Sequence, residues 1–233
     1  MKEHDNLQNP GQPPGFFAGL AVALGLGLAL GQAGAAEYSL RVDAGQHDRS
    51  SSPLTFALPE LGQEHWNLTG PGDQAVAIQA DDLGLATFIV GKLAAFKTVV
   101  YRLTPAAKPT HENVVSLVER DGRLRISVGD RTVMHYQAEK SKLPRADLEP
   151  IYRRGGYIHP VVTPGGTVIT DDYPHNHKHH HGIWFPWTNT LFEGRKPDFW
   201  NMGKGTGTVE FAGLHGQWSG PVHAGFWSSQ QFV

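Results

Sequence analysis

Cysteine is absent from this chain of 233 residues. The sequence therefore excludes disulfide bonds, cysteine-ligated zinc, iron–sulfur clusters and a thiol nucleophile. With only three methionines there is also little soft sulfur to bind Cu(I). Any chemistry must come from histidine, carboxylate, hydroxyl and aromatic side chains.

An excess of positive charge is missing as well. Lys and Arg number 20 against 22 Asp and Glu, a formal net charge of -2. Proteins that bind a phosphate backbone carry a strongly basic face. The composition therefore predicts no nucleic-acid partner.

Long apolar runs are missing beyond the N-terminus. Residues 16–31 are apolar and uncharged, and Ala33-Gly34-Ala35 then offers a small-x-small cleavage site. The run is shorter than the ~20 residues that span a bilayer. We predict that residues 1–36 are a secretory signal peptide, with an uncleaved anchor as the alternative. The protein is then exported, periplasmic or extracellular, and has no stable membrane span once the signal is removed.

Glycine (28) and proline (16) punctuate short runs of β-branched and aromatic residues. This pattern predicts an all-β protein built as an antiparallel β-sandwich. A polar, proline-containing stretch at residues 104–113 indicates a linker. We expect a small N-terminal β domain over residues 37–105 and a second β domain over residues 111–233. Strands are predicted at residues 38–42, 53–58, 74–80, 85–91 and 97–103.

The second domain opens with a clear hairpin. Asp121-Gly122 supplies the positive-φ residues of a two-residue turn, and apolar residues alternate with polar ones after it. Gly129-Asp130 marks a second turn, so we predict an antiparallel meander. A further hairpin is predicted around Pro164-Gly165-Gly166.

The sequence HNHKHHHGIW, residues 175–184, holds five of the thirteen histidines. If residues 175–181 are extended, alternate side chains share a face, and a His-x-His pair there chelates a divalent ion such as Zn at ~2.0 to 2.1 Å. His177, His179 and His181 are the candidate metal ligands. Two alternatives stay open: metal-free acid–base histidines that face a cleft, and a solvated loop without a role.

In the metal-free alternative, the candidate catalytic residues are His179 and His180, aided by Asp171 or Asp198. Imidazole suits proton transfer because its pKa lies near ~6.5. Aromatic rings close to the tract suggest a sugar-binding cleft, since a flat ring packs on the C–H face of a sugar. The candidate substrate-binding residues are His159, Trp184, Trp187 and Trp200. Packing of these tryptophans in the core is the competing interpretation.

The last third of the chain resembles the bacterial PmoA-like family of exported domains of unknown function, which carry the label "methane oxygenase PmoA". In that family an HPVxTPxG hairpin precedes His-x-His-His-x-Gly-[Ile/Leu]-Trp and then a Phe-Trp pair. The matching positions are His159-Pro160, Thr163-Pro164, Gly166, Asp171, Tyr173-Pro174, His177, His179, His180, Gly182, Ile183, Trp184, Phe199 and Trp200.

Two departures from the family pattern stand out. His181 replaces the arginine that usually follows the histidine pair, which removes a permanent charge and a bidentate donor. Family members are also similar over a longer region, so we expect a C-terminally truncated product whose sandwich lacks partner strands. A literal membrane methane monooxygenase is excluded, because that enzyme needs several long apolar spans.

Two functions follow from these observations. The first is a carbohydrate-active protein, with enzymatic activity left open, on a large sandwich of the mutarotase-like kind. The second is a non-catalytic module that binds a sugar or a metal. Catalysis predicts a perturbed histidine or carboxylate in a concave pocket, whereas a module presents the same residues on a flat face.

Overall fold

The protein is all-β in a computed structural model that describes residues 21–26, 36–59, 63–140 and 142–233. All strand pairs in these ranges are antiparallel, and the only helical pieces are three short 3-10 turns. The predicted all-β, antiparallel sandwich class is thereby confirmed. Within the same ranges, no helix has the length and apolar character needed to cross a membrane.

The first body is a sandwich of two sheets. The five-stranded sheet has the order β1-β2-β8-β4-β5, and the three-stranded sheet has the order β3-β7-β6. The strands are β1 (Ala21–Leu26), β2 (Tyr38–Asp43), β3 (Ser52–Ala57), β4 (His65–Thr69), β5 (Ala75–Val76), β6 (Ile78–Ala80), β7 (Leu85–Val90) and β8 (Thr98–Ala106).

Alternation along these strands builds the first core. In β2 the residues Tyr38, Leu40 and Val42 are buried while the residues between them face solvent. They meet inward-facing residues of the three-stranded sheet, among them Phe56 and Phe88, whose rings pack edge to face at 6.1 Å.

Strand β1 lies inside the predicted signal peptide. Its backbone pairs with β2 along the whole strand. Residues 1–20 and 27–35 of that prediction lie outside the described residues. Removal of residues 1–36 would leave β2 as an edge strand of its sheet.

The second body combines a five-stranded sheet of order β13-β12-β11-β10-β9 with the hairpin β14-β15. Its strands are β9 (Val115–Arg120), β10 (Arg123–Val128), β11 (Arg131–Gln137), β12 (Tyr157–Val161), β13 (Ile183–Trp184), β14 (Val209–Trp218) and β15 (Gly225–Phe232). The hairpin packs on the sheet through a small core of Leu124, Tyr136 and Ala138 with Phe211, Leu214 and Phe226.

The predicted turn at Asp121-Gly122 joins β9 to β10, with φ of 51° and 71° at the two residues. Such positive φ values suit the right-handed twist of a two-residue hairpin. Gly129 has φ 55° in the turn before β11, as the predicted meander requires. The strand β4, HWNLT, was not predicted from the sequence.

One side chain ties the two bodies together. The Gln79 Oε1 atom, from β6, accepts hydrogen bonds from the backbone nitrogens of Val222 (3.1 Å) and His223 (3.0 Å). Gly220 makes room for it, since a Cβ there would collide with the Gln79 amide. A cleft of about 1200 Å³ lies between the bodies, with Trp66, Trp218 and Trp227 in its lining.

Candidate functional site

The histidine tract lies in a closed loop, residues 171–182, which we call the histidine loop. Its two ends pair: the Tyr173 N–H donates to the His180 carbonyl, and the Gly182 N–H donates to the Asp171 carbonyl. Two consecutive turns close the tip, through His177 N to Pro174 O and His180 N to His177 O. Residues 175–181 are therefore not extended, and the condition on which the predicted metal-ligand pairing depended is not met. Proline and the competing local turns prevent a strand there.

Gly182 allows the loop to lie directly on the sheet. A Cβ at this position would collide with the Ile158 carbonyl oxygen of β12, and the backbone has φ +28°. Glycine alone tolerates both the close approach and the positive φ. The adjacent His181 is consequently brought under the loop and fully buried.

Five rings form the outer part of the site. His177 stacks on His180 at 4.8 Å, and His179 meets His180 edge to face at 4.6 Å. His180 in turn lies 6.0 Å from Trp184 and 5.8 Å from Trp200. All five are at least partly exposed. We call this set the His–Trp surface: His177, His179, His180, Trp184 and Trp200.

Two imidazoles of the His–Trp surface, those of His179 and His180, have lowered pKa values, which favours their neutral form. Partial burial lowers the pKa of His179, and the neighbouring histidines lower it further, against an opposing effect of Asp198. Burial and His177 likewise lower the pKa of His180. A neutral imidazole presents one N–H donor and one nitrogen acceptor. The surface therefore offers aromatic faces together with uncharged hydrogen-bonding groups.

Beneath the surface, His181 forms a dyad with Asp172. The His181 Nδ1–H donates to Asp172 Oδ1 at 2.8 Å, and the Tyr157 hydroxyl donates to Asp172 Oδ2 at 3.0 Å. Burial lowers the pKa of His181 despite the opposing effect of Asp172. In the neutral ring, with the proton held on Nδ1, Nε2 carries a lone pair. That atom is buried and has no partner among the described residues.

Arg154 lies in the same buried layer. Its side chain is fully buried, and its guanidinium carbon lies 4.6 Å from the centre of the Trp184 ring. Nε donates to the Gly155 carbonyl at 3.2 Å, but Nη1 and Nη2 find no hydrogen-bond partner among the described residues. Burial lowers the pKa of Arg154 to about 10. The group is therefore still cationic at neutral pH.

The predicted metal ligands are not brought together. His181 is bonded to Asp172, while His177 stacks on His180 and lies 6.1 Å, ring to ring, from His179. Across the parts of the chain that the structure describes, no three His, Asp or Glu side chains are arranged to hold a metal ion. The pairing of alternate histidines failed because it depended on an extended tract.

The two predicted catalytic carboxylates have local structural contacts. Asp171 is exposed and caps the backbone N–H of Asp172. Asp198 accepts hydrogen bonds from the backbone nitrogens of Trp200 and Asn201, the Asn201 amide and the Lys204 ammonium group. Burial alone would raise the pKa of Asp198, but these hydrogen bonds outweigh it and hold the pKa far below its usual range. Such a carboxylate is a poor proton donor at neutral pH.

The predicted substrate-binding residues divide into two groups. Trp184 and Trp200 belong to the His–Trp surface, with ring centres 5.6 Å apart. Trp187 instead stacks on Phe232 at 4.5 Å, which packs the segment after β13 against β15. His159 is half-buried on β12, where its Nδ1 bonds the Thr170 hydroxyl at 2.9 Å.

Sequence reasoning missed Arg154 and Tyr157 and gave Asp172 no specific role. One signal for Arg154 was available: the charged pair Arg153-Arg154 directly precedes Gly155-Gly156 and a strand. A Cβ on Gly155 would collide with the Ala138 carbonyl oxygen, so the backbone there lies against the end of β11. The sequence does not reveal that Arg154 is buried while the preceding Arg153 is exposed.

Comparison with known proteins adds a family match over the second body. Residues 123–233 match the model of a family described as "Family of unknown function (DUF6807)". No curated protein and no solved structure matches the chain. The matched region contains the whole His–Trp surface together with Arg154, Tyr157, Asp172 and His181. The family description names no activity.

Proposed function

We propose that this chain is an exported protein of the PmoA-like type that binds carbohydrate at the His–Trp surface. The observation that carries the proposal is the clustering of two partly exposed indoles, Trp184 and Trp200, with the imidazole of His180, which contacts both. Sugar rings have apolar C–H faces and a rim of hydroxyls that both donate and accept. Aromatic faces and neutral imidazoles match these two properties.

The electrostatics of the surface support an uncharged hydroxyl-rich ligand at this level. The pKa values of His179 and His180 are both lowered, which favours the neutral form of these two rings at neutral pH. A phosphate backbone would require a basic face. Export, expected from the apolar run at residues 16–31, would place the surface where polysaccharides are available.

The test is a calorimetric titration of the protein with a panel of monosaccharides and their methyl glycosides. Trp200→Ala should weaken binding about tenfold or more, because it removes one ring of the surface. Trp227→Ala is the matched control. Trp227 is also exposed, at 62%, but it lies on β15 and lines the cleft between the bodies. Equal losses in the two variants, or no sugar binding by the wild type, would refute the proposal.

A specific observation favours acid–base catalysis as a second candidate function. The His181–Asp172 pair has the geometry of an oriented general base, in which a carboxylate fixes the ring and leaves Nε2 free. Interconversion of sugar anomers requires such proton transfer. Polarimetry of freshly dissolved sugars should then show accelerated mutarotation that His181→Gln abolishes while sugar binding persists. A wild-type rate equal to the buffer rate would exclude this activity.

A further inference from the structure

Arg154 is a buried cation whose terminal nitrogens have no hydrogen-bond partner in the described part of the chain. Both Nη1 and Nη2 are hidden from solvent, and neither finds an acceptor among the described residues. Its Nε hydrogen bond goes to the neutral Gly155 carbonyl, and its guanidinium carbon lies 4.6 Å from the centre of the Trp184 ring. The guanidinium group therefore keeps unused N–H donors on both terminal nitrogens.

An unpaired buried charge destabilises the protein that contains it. Desolvation of a guanidinium ion costs several kcal/mol, and well-packed apolar residues of similar volume are often equally good or better for stability. Such a loss of folding stability is typical of ligand-binding sites, where a buried polar group stays without a hydrogen-bond partner until the ligand binds. Arg154 is best explained by an anionic ligand that completes its hydrogen bonds.

The position of Arg154 connects it to the His–Trp surface. Trp184 packs on the guanidinium and also contacts Trp200 and His180. The Trp184 indole is held by ring contacts, without a hydrogen bond to the described residues. It also lies 5.6 Å, ring to ring, from His181. Because Arg154 and His181 are both fully buried, a ligand on the surface reaches them only if a group that covers them moves, and Trp184 contacts both.

The chemistry of this layer selects a carboxylate. The planar guanidinium presents two parallel N–H donors, which match the two oxygens of a carboxylate. A phosphate dianion would need more positive charge than Arg154 supplies, because His181 is bonded to the anionic Asp172. The His181 Nε2 atom accepts a hydrogen bond from a hydroxyl beside the carboxylate.

We propose that Arg154 and His181 form a subsite for the carboxylate and a neighbouring hydroxyl of an acidic sugar, and that Trp184 is its movable cover. This inference rests on the proposed carbohydrate binding at the His–Trp surface and names its substrate class: uronic acids and the polysaccharides that contain them.

The experiment compares glucuronate, glucose and acetate by calorimetric titration of wild-type protein, Arg154→Met and Arg153→Met. Wild type should bind glucuronate at least about tenfold more tightly than glucose or acetate, the factor expected for a charge-assisted contact. Arg154→Met should lose this preference and still bind glucose. Arg153→Met, which alters the adjacent exposed arginine, should keep the preference.

The possible failures are distinguishable. Equal binding of glucose and glucuronate overturns the acidic-sugar subsite and leaves carbohydrate binding intact, whereas no binding of either sugar overturns both. Acetate binding as tight as that of glucuronate overturns the assignment to a sugar acid.

Urea unfolding without ligand gives a second readout: Arg154→Met should be as stable as wild type or more stable. A marked loss of stability in this variant would show that Arg154 serves the fold instead. Arg154→Lys, which keeps the charge but loses the planar fork, should fold and bind glucuronate more weakly than wild type.

Discussion

Gly182→Ala should destabilise the second body strongly, because this glycine allows the histidine loop to lie on β12. The added Cβ would collide with the Ile158 carbonyl oxygen and come within 3.0 Å of the His159 Cβ. Relief of the clash requires the loop to move away, which breaks the hydrogen bond from Gly182 N–H to the Asp171 carbonyl. Backbone strain of about 1–2 kcal/mol and a lost buried hydrogen bond of about 1–3 kcal/mol together predict a loss of roughly 3 kcal/mol or more.

Gly129→Ala is the matched control for this substitution. Gly129 also has positive φ, at 55°, but a Cβ there meets nothing within 4 Å. It should therefore lose only the strain, about 1–2 kcal/mol. Urea unfolding followed by tryptophan fluorescence measures both variants. If Gly182→Ala costs no more than Gly129→Ala, the close contact between the histidine loop and β12 is refuted.

Three further predictions concern the Asp172–His181 dyad, the pH dependence that His181 gives to stability, and Asp198. Asp172→Asn should lower stability by about 2–4 kcal/mol in urea unfolding, since the bonds from Tyr157 and His181 lose a charged acceptor; an unchanged midpoint would contradict the dyad. Burial lowers the pKa of His181 in the folded state, so the unfolded chain binds a proton below pH ~6.5 that the folded protein does not. Stability should therefore fall as the pH drops from 7 towards 5, less steeply in His181→Gln, and a flat profile would contradict this sign. Asp198→Ala should lower the melting temperature and also weaken sugar binding, because its hydrogen bonds hold the turn that carries Trp200; loss of binding without loss of stability would show a direct role.

Alternation of apolar and polar residues was sufficient to predict the fold class and the positions of β2, β3, β7 and β8 in the first body. In β2 and β7 every second residue is buried, which is the pattern that the sequence shows directly. The turn at Asp121-Gly122 was equally predictable, since both residue types favour positive φ. Strand β4 was missed because its five residues include His65 and Asn67 at half-buried positions, where the sandwich tolerates polar side chains.

The site was predicted only in part, for a physical reason. Aromatic content near the histidine tract identified Trp184 and Trp200, but the tract itself was interpreted with the periodicity of a strand. In the structure, hydrogen bonds between the loop ends fix its geometry, and these depend on the sheet beneath the loop. Arg154 precedes Trp184, the ring that it contacts, by 30 positions in the chain, and such long-range contacts leave no local pattern.

The most direct test of the central claim is an NMR titration that observes the indole N–H signals of the six tryptophans. Addition of a sugar that binds should shift the signals of Trp184 and Trp200, and leave those of Trp66 and Trp218, in the cleft between the bodies, unchanged. Shifts confined to Trp66, Trp218 or Trp227 would place carbohydrate in that cleft and contradict binding at the His–Trp surface.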